Sequence, residues 1–145
     1  MTDVSVTELR LVVTAENYPE ALAFYRDVLG LAQLAEFDSP DGHVVLLDAG
    51  RATLELTDPG NAAYVDQVEV GRRVAGPIRV AFQVADAAAT ADRLTAAGAE
   101  LIAAPTVTPW NSRNARLTAP DGVQLTLFEE LRVVNLPAAG APSAC

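Results

Sequence analysis

One pattern narrows the fold more than any other feature of this chain: strand, helix and three strands, occurring twice. Leu9 to Val13 is a short apolar, β-branched run broken by Arg10, and predicts a strand. Asn17 as a cap, Pro19 in the first turn, Leu22, Tyr25, Arg26 and Leu29 at helical spacing and Gly30 as a left-handed stop predict a helix. Leu31 to Phe37, His43 to Leu47 and Ala52 to Thr57 predict three strands, joined by the turns Ser39-Pro40-Asp41-Gly42 and Asp48-Ala49-Gly50. The pattern then recurs. Ile78 to Val84 predicts a strand, and Asp86 caps a helix over Ala87 to Ala97 that Gly98 closes. Leu101 to Val107, Arg113 to Thr118 and Val123 to Phe128 predict three more strands, the last two joined by Ala119-Pro120-Asp121-Gly122. Ala52-Thr53-Leu54-Glu55-Leu56 lines up with Val123-Gln124-Leu125-Thr126-Leu127, and Leu11-Val12-Val13 with Val80-Ala81-Phe82.

A single unit of this kind buries only one face of its sheet, so it needs a second. The expected fold is α+β: two βαβββ modules forming a curved mixed sheet around a central cavity, facing each other in one chain or exchanged between two. A single domain is expected over residues 1–135, with module one at 8–57, a connector at 58–76 and module two at 77–130. The connector is rich in Pro, Gly, Asn and charge and predicts one short helical turn over Tyr64 to Val70. Residues 136–145, of Pro, Ala, Gly and Ser character, predict a flexible tail.

Composition removes several classes of function. A 50% hydrophobic content excludes a wholly disordered chain. The net charge of -9 and pI near 4.4 argue against nucleic acid and anionic membrane as partners. Met1 to Thr7 has acidic Asp3 and no apolar run, so no signal peptide is expected, and no stretch is long enough to cross a bilayer. Cys145, the sole cysteine, can form neither an internal disulfide nor a zinc cluster. A cytoplasmic protein is expected. All ten basic residues are arginine, which codon bias explains for most of them. A planar two-pronged donor at a site is the sharper reading for a few.

The run Leu22-Ala23-Phe24-Tyr25-Arg26-Asp27-Val28-Leu29-Gly30-Leu31, the turn Pro120-Asp121-Gly122 and the helix exit Ala96-Ala97-Gly98-Ala99 resemble the vicinal-oxygen-chelate superfamily of glyoxalases, bleomycin-resistance proteins and extradiol dioxygenases. The resemblance covers about residues 8 to 130. It implies a homodimer and, in the enzymes of the family, a divalent ion held by side chains from the first and last strand of each module. Here those positions fall on Arg10, Glu55, Arg79 and Thr126. Guanidinium has no lone pair to donate and a neutral threonine is a poor ligand, so no metal and no other cofactor is expected.

The resemblance places Arg10, Arg79 and Glu55 together, which leaves two arrangements open. An Arg–Glu–Arg bridge would plug the old metal site; alternatively, the arginines form a subsite for a carboxylate, phosphate or enolate oxygen. Trp110, on a loop with Asn111 and beside Arg113, either stacks on a flat ligand to which Asn111 and Arg113 supply polar contacts, or folds back onto the core. Gln124 and Phe128 share parity with Thr126, and Gln83 with Arg79, so these join the expected ligand-binding set. His43, the only histidine, reads as an edge residue without a catalytic partner.

Three functions compete. The first is a bleomycin-resistance-like protein that binds a small organic molecule, such as a natural product or antibiotic, in a metal-free cavity. The second is a metal-independent isomerase or lyase with Glu55 as catalytic base and Arg10 or Arg79 stabilising an oxyanion. The third, a metal-dependent lyase or dioxygenase, has the ligand count against it.

Overall fold

A computed structural model of the chain describes Glu8 and residues 10–131. These fall in two compact units that divide between Leu56 and Thr57. The expected tail at 136–145 lies outside the described residues.

In the first unit, Asn17 accepts a hydrogen bond from the Glu20 amide at 3.1 Å and Pro19 fills the first turn, opening helix α1 at Tyr18–Leu22. The chain continues without a break into a π-helical turn, Ala23–Val28, where the Leu29 amide reaches five residues back to the Phe24 carbonyl at 2.9 Å. Phe24, only 1% exposed, anchors this turn, and Gly30 at φ +92° ends it. Strands β1 (Ala32–Ser39) and β2 (Gly42–Asp48) form an antiparallel hairpin whose tip is tied by the Asp41 amide to Ser39 Oγ at 3.2 Å.

Two expected strands of this unit are absent among the described residues: 10–13 and 52–57 have neither helix nor strand. Alternation of apolar and polar residues selects a strand only where a neighbouring strand takes up its backbone donors and acceptors. Within this unit the only ladder among the described residues is β1 with β2.

The second unit opens with α2, Pro59–Glu69, three turns in place of the short turn expected at Tyr64 to Val70. Asp58 is its cap, accepting from the Asn61 amide at 2.8 Å, and Pro59 stands at the first helical position. Then follow β3 (Val80–Gln83), α3 (Ala87–Ala96), β4 (Glu100–Val107), β5 (Ser112–Thr118) and β6 (Gln124–Glu130), which is the expected strand, helix and three strands. The sheet order is β3-β6-β5-β4, with β3 parallel to β6 and the other pairs antiparallel.

One face of this sheet is apolar. Ala115, Leu117, Leu125 and Leu127 are fully buried on the side where α3 lays Ala87, Ala91 and Leu94. Each leucine taken out of water contributes about 1.5–3 kcal/mol. The start of α3 is held twice: Asp86 accepts from the Ala89 amide at 3.0 Å, and Glu129 of β6 from the Ala87 amide at 2.9 Å. Asp86→Ala is expected to cost about 1 kcal/mol in urea unfolding, the usual worth of a cap. No helix among the described residues is long and apolar enough to cross a membrane.

Candidate functional site

The other face of the second unit's sheet is polar, and strand parity decides which side chains it carries. Thr126 pairs with Ala81 on one side and Arg116 on the other; Phe128 pairs with Gln83 and Asn114; Gln124 pairs with Thr118. Arg79, Gln83, Gln124, Thr126 and Phe128 therefore share one face, as their parity in the sequence requires. Arg79 donates from Nη1 to the Thr126 hydroxyl, joining the two strand positions singled out for metal in module two. That donor set does not fit a metal: one member is a cation, and the other's oxygen accepts from it. Among the described residues, no group of three or more His, Cys, Asp or Glu could hold an ion.

The centre of the face is Arg116, wholly buried and unforeseen in the sequence reading. Its Nη1 donates to Asp66 Oδ1 and to Gln124 Oε1, and its Nη2 to Glu69 Oε1, each at 2.8 Å. Glu69 Oε2 also accepts from Asn114 Nδ2 at 2.7 Å. Helix α2 thus sets two carboxylates, one turn apart, onto the sheet. Asp66 Oδ2 takes three more donors, Arg73 Nη1 at 2.7 Å and the amides of Val74 and Ala75 at 2.8 Å, and so folds the segment after α2 back against the helix. Burial alone would raise the Asp66 carboxyl. The Ala75 and Val74 amides and the guanidinium groups of Arg116 and Arg73 outweigh it and hold the carboxyl well below its ordinary range.

Two atoms in this network have no hydrogen-bond partner among the described residues: Arg116 Nε, a donor, and Asn114 Oδ1, an acceptor. The signal for the site was the alternation Asn114, Arg116 on β5. Two polar side chains at interior parity need buried partners, which Asp66 and Glu69 supply from one turn of α2.

The remaining expected residues lie elsewhere. Arg113 sits on the opposite face of β5, beside α3, and pairs with Glu129 at 3.3 Å, so it does not join Gln124 and Phe128. Trp110 is half-buried: its ring lies 6.1 Å from that of Tyr64 on α2, and its buried Nε1 has no partner among the described residues. Asn111 is exposed at φ 61° and, through its carbonyl, accepts from the Leu131 amide at 3.1 Å, a backbone role in a left-handed position that asparagine tolerates.

In the first unit Arg10 is exposed and paired to Glu8, two residues away. Glu55 is exposed in the segment without regular structure. His43 is also exposed; its Nδ1 lies 2.7 Å from Asp38 Oδ1 and its ring stacks on Tyr18 at 5.5 Å, a surface role rather than a ligand set.

Among curated proteins none matches the chain. Solved structures do. A member of the glyoxalase, bleomycin resistance protein and dioxygenase superfamily from Sphaerobacter thermophilus DSM 20745 aligns with 88% of this chain and 100% of its own, at 24% identity and a TM-score of 0.57. TnmS3, an antibiotic binding protein from Streptomyces sp. CB03234, aligns with 88% of this chain and 99% of its own, at 22% identity and the same TM-score of 0.57. A glyoxalase-related enzyme from Fulvimarina pelagi covers 94% of this chain and 96% of its own at 17% identity, with a TM-score of 0.54. At such identities these likenesses show the fold. The family described as Glyoxalase/Bleomycin resistance protein/Dioxygenase superfamily matches residues 9–127, most of the chain, and to that superfamily the chain belongs.

Proposed function

We propose that this protein binds a small organic molecule, of the natural-product or antibiotic class, without a metal. The observation that carries the reading is the hydrogen bond from Arg79 to Thr126. At the two positions that the resemblance aligns with metal ligands of this module, Arg79 just ahead of β3 and Thr126 on β6, this chain has a cation and the hydroxyl that accepts from it. An arginine there suits an oxygen-rich or anionic group on the bound molecule. The antibiotic-binding relative shares the fold and supports the class of ligand. Gln83, Gln124, Thr126 and Phe128 on the same face complete the set proposed to meet it. The protein would act in the cytoplasm as a homodimer. Leu11, Val12, Leu54 and Leu56, between 52% and 86% exposed, leave apolar surface on the first unit that a second copy would cover.

The test uses the single tryptophan. A panel of natural products and organic acids is titrated against Trp110 emission, and each bound compound is recovered and checked for change. Arg79→Ala is expected to weaken the best ligand about tenfold, roughly 1.4 kcal/mol, and the ligand is expected back intact. Stoichiometric metal in the purified protein, or turnover that Glu55→Gln abolishes, would overturn the reading in favour of chemistry.

A further inference from the structure

We propose that Arg116, Asn114 and Gln124 form a carboxylate seat that α2 occupies with its own Asp66 and Glu69, and that a small hydroxy acid takes the seat by displacing α2 and the loop behind it. This rests on the reading that the polar face of the second unit receives a small molecule, and names the group it would receive there.

Three observations carry it. First, α2 is held by charge. Its buried residues are Val65, Asp66 and Glu69, so a single apolar side chain accompanies two carboxylates, whereas α3 buries Ala87, Ala91 and Leu94 beside Thr90. A buried ion pair gains little net free energy once desolvation is counted, so a ligand carboxylate can replace one of α2's on Arg116 with association entropy as its main cost. Apolar packing of the α3 kind has no such substitute.

Second, α2 and the segment behind it form one body. Asp66 holds Arg73, Val74 and Ala75 through bonds internal to that stretch. The hydrogen bonds to the sheet side come from few residues: Arg116 to Asp66 and Glu69, Asn114 to Glu69, and Gln124 Nε2 to the Val74 carbonyl at 3.2 Å. Releasing them, with the burial of Val65 and the Tyr64–Trp110 contact, frees the body while the bonds of Asp66 to Arg73, Val74 and Ala75 stay within it.

Third, the seat is only partly filled by α2. Arg116 Nε–H and Asn114 Oδ1, on two wholly buried side chains of the same strand face, have no hydrogen-bond partner among the described residues. A donor and an acceptor left over on one face of β5 suit a ligand that carries a hydroxyl as well as a carboxylate, because a hydroxyl can accept from Arg116 Nε or donate to Asn114 Oδ1. Carboxylates alone cannot satisfy Asn114 Oδ1.

Trp110 reports on the movement, since Tyr64 of α2 lies against it. The full-length protein is titrated with malate, with succinate, which lacks the hydroxyl, and with sodium chloride at matched ionic strength. Malate is expected to shift Trp110 emission to the red along a saturating curve with a midpoint at least fivefold below that of succinate, while chloride gives no saturation. Glu69→Gln, which keeps the shape and removes a competing charge, should lower the malate midpoint about tenfold. In the unaltered protein, hydrogen exchange of the α2 amides should accelerate with malate while that of α3 stays unchanged. The proposal is overturned if malate leaves both Trp110 and α2 exchange unchanged, if it slows α2 exchange, or if chloride reproduces its effect. A natural product that binds intact in an Arg79-dependent way while malate has no effect would remove the seat and leave the reading of the binding face standing.

Discussion

Arg116→Met is expected to destabilise the second unit by about 3–5 kcal/mol, because it leaves two buried carboxylates facing a side chain that can donate nothing to them. Asp66 retains Arg73 and two backbone amides after the change; Glu69 retains only the amide of Asn114 among its hydrogen bonds to this network. Glu69 is therefore the main source of the cost. Glu69→Leu combined with Arg116→Met should recover a large part of it, with a coupling of about 1–3 kcal/mol between the two changes. Urea unfolding of the two single variants and the double variant measures this directly. If the double variant is as unstable as the sum of the singles, the ion pair is not what fixes α2 to the sheet.

Acid should act through Asp66. Its carboxyl is held below the ordinary range in the native state, so protonation favours the unfolded chain. The stabilisation is complete above the unfolded value, near 3.9, and is lost as pH falls below about 4 toward the depressed native value. Asp66→Asn removes this dependence. It is also expected to cost about 3 kcal/mol at neutral pH, since a neutral amide serves the Val74 and Ala75 amides poorly and leaves Arg116 short of one carboxylate. Unfolding midpoints between pH 2 and 7 should converge for the two proteins at the acid end. Parallel curves would show that other carboxylates set the acid response.

Most of the second unit was legible in the sequence because its signals are local. The Asp86 cap, the Gly98 stop at φ +109° and the Ala119 to Gly122 turn each fix a boundary without reference to distant residues. Parity then sorted Arg79, Gln83, Gln124, Thr126 and Phe128 onto one face. Arg113 belongs to β5 rather than to the Trp110 loop, and strand alternation puts it on the face opposite Asn114. The centre of the face stayed hidden for a different reason. Asp66 and Glu69 stand in a connector of Pro, Gly, Asn and charge, where acids one helical turn apart read as a solvated surface. Nothing local distinguishes an acid that faces water from one that meets an arginine fifty or so residues away. The alternation at Ala52 to Leu56 shows the opposite error: a strand pattern is a disposition, and the backbone takes it up only beside a partner.

The polar seam between α2 and the sheet also bears on temperature. Exposure of polar surface on unfolding lowers the heat capacity change, whereas exposure of apolar surface raises it. Burial of Arg116, Asp66, Glu69 and Asn114 where others bury leucine should therefore lower the unit's heat capacity change on unfolding. Its ion pairs also lose less to desolvation as the temperature rises. The α2 side of the sheet depends on the desolvation of charge and the α3 side on the hydration of apolar surface, so the two faces of one sheet answer temperature through different terms.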